Sequence, residues 1–213
     1  MFVYPRLIDF ATILILMFPL WLKFAYTLLV CVILVVNWRT YSPRNFLWFS
    51  DIALLLTVPA LWFENGLLAS MMALSIVALD VAWNVDFFGG LLTGRSLLGL
   101  GKYMFDEKIP LPIRLVSLFH IWFPALLLWM VYRLGYDERA LLFQTLLAWV
   151  VLPVSYWFVT EESENINWVR GLRGDRSERQ QWMSPRLYLA LLMLGLPLFI
   201  YLPTHLVLKK LMP

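Results

Sequence analysis

Long apolar runs separated by short polar segments form the main pattern along this chain of 213 residues. Most runs are roughly 20 residues long, the length with which an α-helix crosses a hydrocarbon core about 30 Å thick. The predicted spans are Leu7–Val36, Phe46–Phe63, Leu67–Phe88, Leu111–Arg133, Ala140–Thr160 and Leu187–Leu208. The pattern predicts an all-α membrane protein, a polytopic bundle of six or seven transmembrane helices in a single domain, residues 1–213.

The first run leaves the number of spans open. As one helix, Leu7–Val36 would be about 45 Å long, which exceeds the thickness of the hydrocarbon core. Pro19 and Lys23 interrupt it. We expect either one tilted and kinked helix or two short helices that break near Lys23. No small-residue cleavage site follows a short apolar region, so a removable signal peptide is not expected.

Composition supports the membrane class. Hydrophobic residues make up 62% of the chain and charged residues 15%, and the mean hydropathy is +0.75. Soluble domains have about 45–50% apolar and about 25% charged residues. This excludes a soluble enzyme, a secreted disulfide scaffold and a disordered regulator. The single cysteine, Cys31, lies in an apolar run, so no disulfide is expected.

Basic residues predict the orientation. The loops 37–45, 89–114 and 161–186 fall on one side, called side B, and the opposite side is called side A. Side B carries eleven basic residues, namely Arg39, Arg44, Arg95, Lys102, Lys108, Arg114, Arg170, Arg173, Arg176, Arg179 and Arg186. Side A keeps four, namely Arg133, Arg139, Lys209 and Lys210. The positive-inside rule therefore predicts that side B is cytoplasmic in a bacterial inner membrane.

Several classes of ligand have no matching pattern. The basic residues lie in loops between spans, so no nucleic-acid partner is expected. The glycine-rich segment 89–108 fails the phosphate-loop motif, because Lys102 does not directly follow the second glycine and Tyr103 stands where Ser or Thr is needed. No metal-ligand spacing is present, so no cofactor or metal is expected. A mixed site of His120 with an aspartate stays open as a weaker alternative.

Polar residues inside the predicted spans are the candidates for function, because such groups are costly in a bilayer. They are Ser50, Asp51, Asp80, Asn84, Asp86, His120, Tyr156 and His205. Counted at about 1.5 Å per residue, all except His205 lie in the half of the membrane next to side B. This distribution predicts one polar cavity that opens towards side B. Asp86 is expected at the interface as a solvated cap.

The residue types suggest a nucleophile, a base and an orienting carboxylate. Ser50 would be the nucleophile and His120 the base, with Asp80 or Asp51 holding the imidazole. Asp80 and Asn84 share a helix face at spacing i,i+4. Pro124 frees a backbone carbonyl and kinks its helix, which opens space beside His120. Two other interpretations remain: a transporter or proton relay, and a structural pair that ties two helices together.

Three short motifs carry a resemblance to a known family. The stretch Phe46–Ala53, FLWFSDIA, resembles the Leu-Pro-Leu-x-x-Cys-Asp-Ile segment of the YwaF-like integral membrane proteins. This group includes an acyltransferase that remodels ether phospholipids, and it is distantly similar to the androgen-induced membrane hydrolases. His120–Pro124 resembles the histidine–proline stretch of these families, and Asn165–Trp168 resembles their Asn-Tyr loop motif.

The resemblance implies a lipid acyltransferase or ester hydrolase. Ser50 stands where these families have a catalytic Cys or Thr, and His120 would be its base. Asp51 would be the functional group if the match were displaced by one residue. Residues expected to bind the substrate, a membrane lipid, are Asn84, Tyr156, Asn165 and Asn167. Asn165 and Asn167 have capping as the alternative role. A helper subunit of a lipid-handling complex is the third functional class, and the oligomeric state is left open.

Overall fold

The computed structural model describes residues 17–40, 43–158, 165–172 and 180–213, and these segments are helical with no β-strand among them. The α-helices are α1 (Leu20–Thr40), α2 (Phe49–Trp62), α3 (Gly66–Thr93), α4 (Leu111–Val116), α5 (Phe119–Leu134), α6 (Ala140–Phe158), α7 (Pro185–Leu196) and α8 (Leu202–Leu211). Three 3₁₀ turns, Pro43–Leu47, Lys102–Phe105 and Ile166–Trp168, lie between them. A π-helical turn, Pro197–Tyr201, joins α7 to α8.

Among the described residues, five helical segments are long and apolar enough to cross a membrane: α1, α3, α4–α5, α6 and α7–α8. This is fewer than the six or seven predicted. The difference comes from α2, which has 14 residues and a length of about 21 Å, short of a hydrocarbon core of about 30 Å. Part of the predicted span Phe46–Phe63 is 3₁₀ turn rather than α-helix. The all-helical architecture is compatible with a protein embedded in a membrane.

The first predicted run begins its helix later than expected. Helix α1 starts at Leu20, directly after Pro19, and Lys23 lies inside its first turns rather than at a break. A further span before Pro19 would fall on residues 1–16, which lie outside the described residues. The other predicted spans match helices, although α3 continues to Thr93 and ends with Gly94 in the left-handed conformation.

The helices run alternately between two ends of the bundle. End A holds Phe18, Glu64, Gly135 and the C-terminus, and it corresponds to side A of the sequence. The backbone N–H of Phe18 donates to Glu64, and that of Tyr136 donates to the carbonyl of Pro213. End B holds the turns that precede α2, α4 and α7. The central helix is α3, which packs against α2, α5 and α6 and carries a continuous buried stretch from Ala69 to Ile76.

An ion pair closes end A. The Lys23 ammonium is almost fully buried and lies 2.9 Å from the Glu64 carboxylate. Burial alone would raise the pKa of Glu64, but hydrogen bonds from Lys23 and from two backbone N–H groups hold that pKa below its usual range. The pair is therefore complete at neutral pH. The ion pair is lost in acid, as the pH falls from about 4.3, the ordinary pKa of glutamate, through the lowered pKa of Glu64.

We expect Glu64→Ala to lower the free energy of unfolding by about 2 kcal/mol, because it leaves a buried ammonium without a counter-charge. The expected loss is below that of a fully buried pair because Glu64 is partly exposed. Thermal unfolding in detergent measures the effect. Glu138→Ala, which breaks the exposed pair with Lys209, is the control and should leave the melting temperature unchanged. Equal shifts in both variants would contradict the assignment.

Candidate functional site

A cavity of about 580 Å³ lies in the end-B half of the bundle, between α2, α3, α5 and α7. Its polar lining residues come from several distant parts of the sequence: Asn37, Asn45, Ser50, Asp51, Asp80, Ser117, His120 and Asn167. The structure thus places Ser50, Asp51, Asp80 and His120, which the sequence proposes for catalysis, around one space. Most of the remaining lining is apolar or aromatic.

The closest contact among these groups joins α5 to α3. His120 Nδ1 lies 2.8 Å from Asp80 Oδ1, and both side chains are largely buried. The imidazole is flanked by the rings of Phe119 and Trp83, at centroid distances of 4.1 and 4.9 Å. A carboxylate at Nδ1 favours the tautomer whose Nε2 is free to accept a proton. The pair therefore has the arrangement of a general base.

Asp51 supplies a second carboxylate near the same imidazole. Its Oδ1 accepts a hydrogen bond of 3.1 Å from Asn37 Nδ2. The charge of a protonated His120 acts on Asp51 as well as on Asp80. The other oxygen of Asp80, Oδ2, is buried and has no hydrogen-bond partner among the described residues. The site thus holds two carboxyl groups around one imidazole, and Asp80 Oδ2 remains as a further hydrogen-bond acceptor.

Asn84 fixes the position of His120 through the backbone. Pro124 has no N–H, so the carbonyl of His120, four residues earlier, lacks its usual helical partner. Asn84 Nδ2 donates to that carbonyl at 2.8 Å and to the carbonyl of Asp80 at the same distance. Asn84 is not among the residues that line the cavity. Its contacts make it a positioning residue for the His120–Asp80 pair rather than a group that touches a substrate.

Ser50 lies in the first turn of α2 and lines the cavity. Within the part of the chain that the structure describes, its hydroxyl makes no hydrogen bond, and none joins it to His120. A Ser–His pair is therefore not present as a direct contact. Catalytic hydrogen bonds are often long before substrate binds and shorten afterwards, so the geometry leaves Ser50 available. Its role as the nucleophile stays a prediction.

Asn167 holds the start of α2 from the loop before the last helix. Its Oδ1 accepts a hydrogen bond of 3.0 Å from the N–H of Phe49, and its Nδ2 donates to the carbonyl of Leu47 at 2.7 Å. Asn167 has a φ of +52°, in the left-handed region that asparagine tolerates. It also lines the cavity. Asn167 therefore both caps α2 and lines the cavity. Helix α2 is the one that carries Ser50 and Asp51.

Two other predicted substrate-binding residues lie away from the cavity lining. Asn165 is buried and holds its own loop, because it accepts from the N–H of Arg170 and donates to the carbonyl of Gly171. The ring of Tyr156 lies under the Arg170 guanidinium, 5.6 Å from its carbon. The contacts of both residues are with this loop.

Asp86 and His205 also have roles outside the cavity. The expectation that Asp86 is a solvated cap is wrong. Its carboxylate is fully buried and accepts from the Ser96 hydroxyl and from the N–H groups of Leu98 and Gly101, so it ties down the glycine-rich loop. His205 lies at end A, where its Nδ1 is 2.7 Å from the hydroxyl of Tyr136.

Two lining residues were not expected from the sequence. Asn37 was assigned to a loop, but α1 continues to Thr40 and carries Asn37 into the cavity wall. Trp83 was not among the predicted site residues, yet its ring packs on His120. Trp83 follows Asp80 by three residues and therefore shares its helix face, and this spacing could have predicted that Trp83 lies near the site. No group of three or more metal-binding side chains occurs among the described residues.

We expect Asn167→Ala to lower the free energy of unfolding by about 1–2 kcal/mol, the usual cost of losing an N-cap. Asn167→Asp should cost less, because it keeps the oxygen that accepts from Phe49 and loses the Nδ2 donor to Leu47 and Ser155. Chemical denaturation followed by tryptophan fluorescence measures both. Asn45→Ala, another polar residue of the cavity wall, serves as the control. A smaller loss of unfolding free energy in Asn167→Ala than in Asn167→Asp would contradict capping through Oδ1.

Comparison of the chain with protein-family models, curated proteins and solved structures finds no match. The resemblance to the YwaF-like proteins therefore stays a prediction, carried by the three motifs at Phe46–Ala53, His120–Pro124 and Asn165–Trp168. The function has to be argued from the cavity itself. The residues that the structure describes form an all-helical bundle, with five segments long and apolar enough to span a membrane.

Proposed function

We propose that the protein is a membrane-embedded lipid acyltransferase or ester hydrolase, in which His120 acts as the general base. The observation that carries the proposal is the 2.8 Å contact between His120 and Asp80 at the wall of a cavity that Ser50 also lines. A histidine oriented by a carboxylate, at a cavity that a serine hydroxyl also lines, is the set of groups that acyl transfer requires.

The proposed reaction has two steps. In the first, Ser50 Oγ attacks the carbonyl carbon of the ester while His120 Nε2 takes the hydroxyl proton. His120 then gives this proton to the departing alcohol, and an acyl-serine remains. In the second step, His120 takes a proton from water or from an acceptor alcohol, whose oxygen attacks the acyl-serine. The bond between the acyl carbon and Ser50 Oγ then breaks, His120 returns the proton to Ser50 Oγ, and the acid or a new ester is released. Asp80 stabilises the imidazolium in both steps.

The surroundings of the imidazole favour this chemistry. Phe119 and Trp83 cover the ring on its faces and keep it away from bulk solvent. Electrostatic interactions are stronger in such a site than in water. Asp51 lies beside Ser50 in sequence and acts on His120 as well. If Asp51 rather than Ser50 is the reacting group, it would accept a proton from water and the acyl-serine would not form.

A fluorophosphonate probe tests the nucleophile. Labelling of the purified protein should disappear in Ser50→Ala and fall by about a hundredfold in His120→Ala, because the serine hydroxyl reacts slowly without its base. Asp80→Asn should lower labelling less than His120→Ala does. Ser117→Ala, which removes another hydroxyl at the cavity wall, is the matched control. Unchanged labelling in Ser50→Ala would reject the covalent mechanism.

A transporter or proton relay is the second candidate, and one observation favours it. Beyond the floor of the cavity, the buried hydroxyl of Tyr201 accepts a hydrogen bond from Gln144 Nε2, and Ser75 lies beside it. One helical turn further, His205 contacts Tyr136 at end A. Polar side chains therefore extend into the end-A half of the bundle, where His205 is the one polar candidate predicted from the sequence. Loss of function in Asp51→Asn, with unchanged labelling in Ser50→Ala, would favour this candidate.

We propose further that end B faces the cytoplasm, on the basis of the excess of basic residues in its loops. In a Cys31→Ser background, single cysteines at Gly94 and Ser177 should resist an impermeant thiol reagent in intact cells. A cysteine at Asp137 should react with it. Permeabilised cells, in which all three should be labelled, are the control for accessibility. The reverse pattern in intact cells would overturn the orientation.

A further inference from the structure

One face of the last transmembrane segment forms an apolar stripe along the cavity. Six of its residues line the cavity, at positions separated by four along two adjacent rows: Leu191, Gly195 and Phe199 in one row, and Leu192, Leu196 and Ile200 in the other. With Tyr188 at the end-B side, the stripe extends over thirteen residues, about 18 Å from first to last. It carries no polar side chain between Tyr188 and Ile200.

On the wall across the cavity from the stripe, α3 and α5 place polar side chains at the level of the His120–Asp80 pair. The π-helical turn Pro197–Tyr201 packs against α3, with Tyr201 beside Ser75, which sets the register between the last segment and α3. The two run in opposite directions, so Asp80, five residues beyond Ser75, lies about 7.5 Å nearer to end B, level with Leu196. The His120–Asp80 pair thus faces the stripe part of the way along its length. Towards end A the opposite wall becomes apolar, with Ile76 and Leu79.

The cavity is open along the last segment rather than sealed by it. Leu191 and Phe199 line the cavity and are still 48% and 76% exposed. Gly195, between them, has no side chain, and a Cβ built there would reach only ordinary contact with Phe199. Because the surroundings of this segment are hydrocarbon in a membrane protein, the opening faces lipid rather than water.

We infer that the ligand of this cavity is a long-chain acyl lipid that enters sideways from the bilayer and lays its chain along the Leu191–Gly195–Phe199 row. The inference rests on the proposed function, whose ester group would lie at the His120–Asp80 pair. The chain then leaves towards end A past Phe199, and the head group lies towards end B. This direction is that of a lipid in the leaflet on the end-B side.

The chemistry of the walls favours an acyl chain over other occupants. A helix of a partner protein needs a groove about 10 Å wide and side chains that interlock with it, whereas Gly195 provides a narrow gap in one wall. A small polar solute would leave the apolar stripe facing water. An extended chain advances about 1.2 Å per bond, so ~18 Å matches about fifteen bonds. Each buried methylene contributes about 0.8 kcal/mol to binding.

A photoreactive lipid tests the inference. The probe is a phosphatidylcholine with a diazirine in the middle of one acyl chain, added to the full-length protein in phosphatidylcholine–phosphatidylglycerol vesicles. Mass spectrometry should place the cross-links on Leu191, Leu192, Gly195 and Phe199. Gly195→Phe fills the gap in the wall and should lower the yield on this row by about tenfold, the effect of displacing about two methylene groups.

Leu194→Phe is the matched control. Leu194 is the neighbour of Gly195, is 53% exposed and is not among the lining residues. The same bulk added there should leave the cross-links unchanged, and melting temperatures of both variants check that they fold. The inference is overturned if the cross-links fall mainly on the outer residues Leu194 and Leu198, or if Gly195→Phe and Leu194→Phe behave alike. Cross-linking between two copies of the chain at this row would overturn it as well.

The same experiment separates this inference from the proposed function. Ser50→Ala removes the proposed nucleophile and keeps the stripe, so its cross-links should match those of the wild type. If the fluorophosphonate fails to label Ser50 while the cross-links stay on the row, the enzyme proposal fails and the lipid site stands. If labelling depends on Ser50 while the cross-links avoid the row, the chemistry stands and the direction of entry is wrong.

Discussion

A backbone surrounded by hydrocarbon has no water with which to form hydrogen bonds, and this constraint explains key polar contacts between the helices. Each proline inside a helix removes one N–H and leaves a carbonyl unpaired. Asn84 pairs with the carbonyl that Pro124 leaves free on His120. Trp149 does the same for Met193, the residue four positions before Pro197, at 2.9 Å. Neighbouring helices thus supply the missing donors.

At one of these positions the constraint and the candidate chemistry coincide. The carbonyl that needs a donor belongs to His120, and the donor that reaches it is bonded to the backbone of Asp80 as well. The side chains of the same two residues are paired at 2.8 Å. Backbone and side-chain contacts therefore hold one imidazole and one carboxylate in a fixed relation. Such preorganisation is what a general base requires, since little reorganisation is left for the reaction.

Apolar runs of about 20 residues are enough to predict the helices, because membrane thickness sets their length. They do not reveal that α2 is short, since its apolar run includes the turn that precedes it. The depth of Asp80 and His120 was also predictable from the helical rise, and the structure brings the two together. The hydrogen-bond partners of Asn165 and Asn167 could not be predicted, because these contacts depend on how a loop folds back on residues far away in the sequence. The role of Trp83 was hidden by the frequency of tryptophan at membrane interfaces.

The contact between Asn167 and the start of α2 has a consequence for the order of assembly. Phe49 and Asn167 are 118 positions apart, so the first turn of α2 stays uncapped while four further helices are synthesised. Ribosomes add residues at about 5–20 per second, which separates the two events by roughly 6–24 s. During this time the wall that carries Ser50 and Asp51 lacks its fixed position. The cavity is therefore completed among the last steps of biogenesis, when the loop after α6 and then the last segment dock.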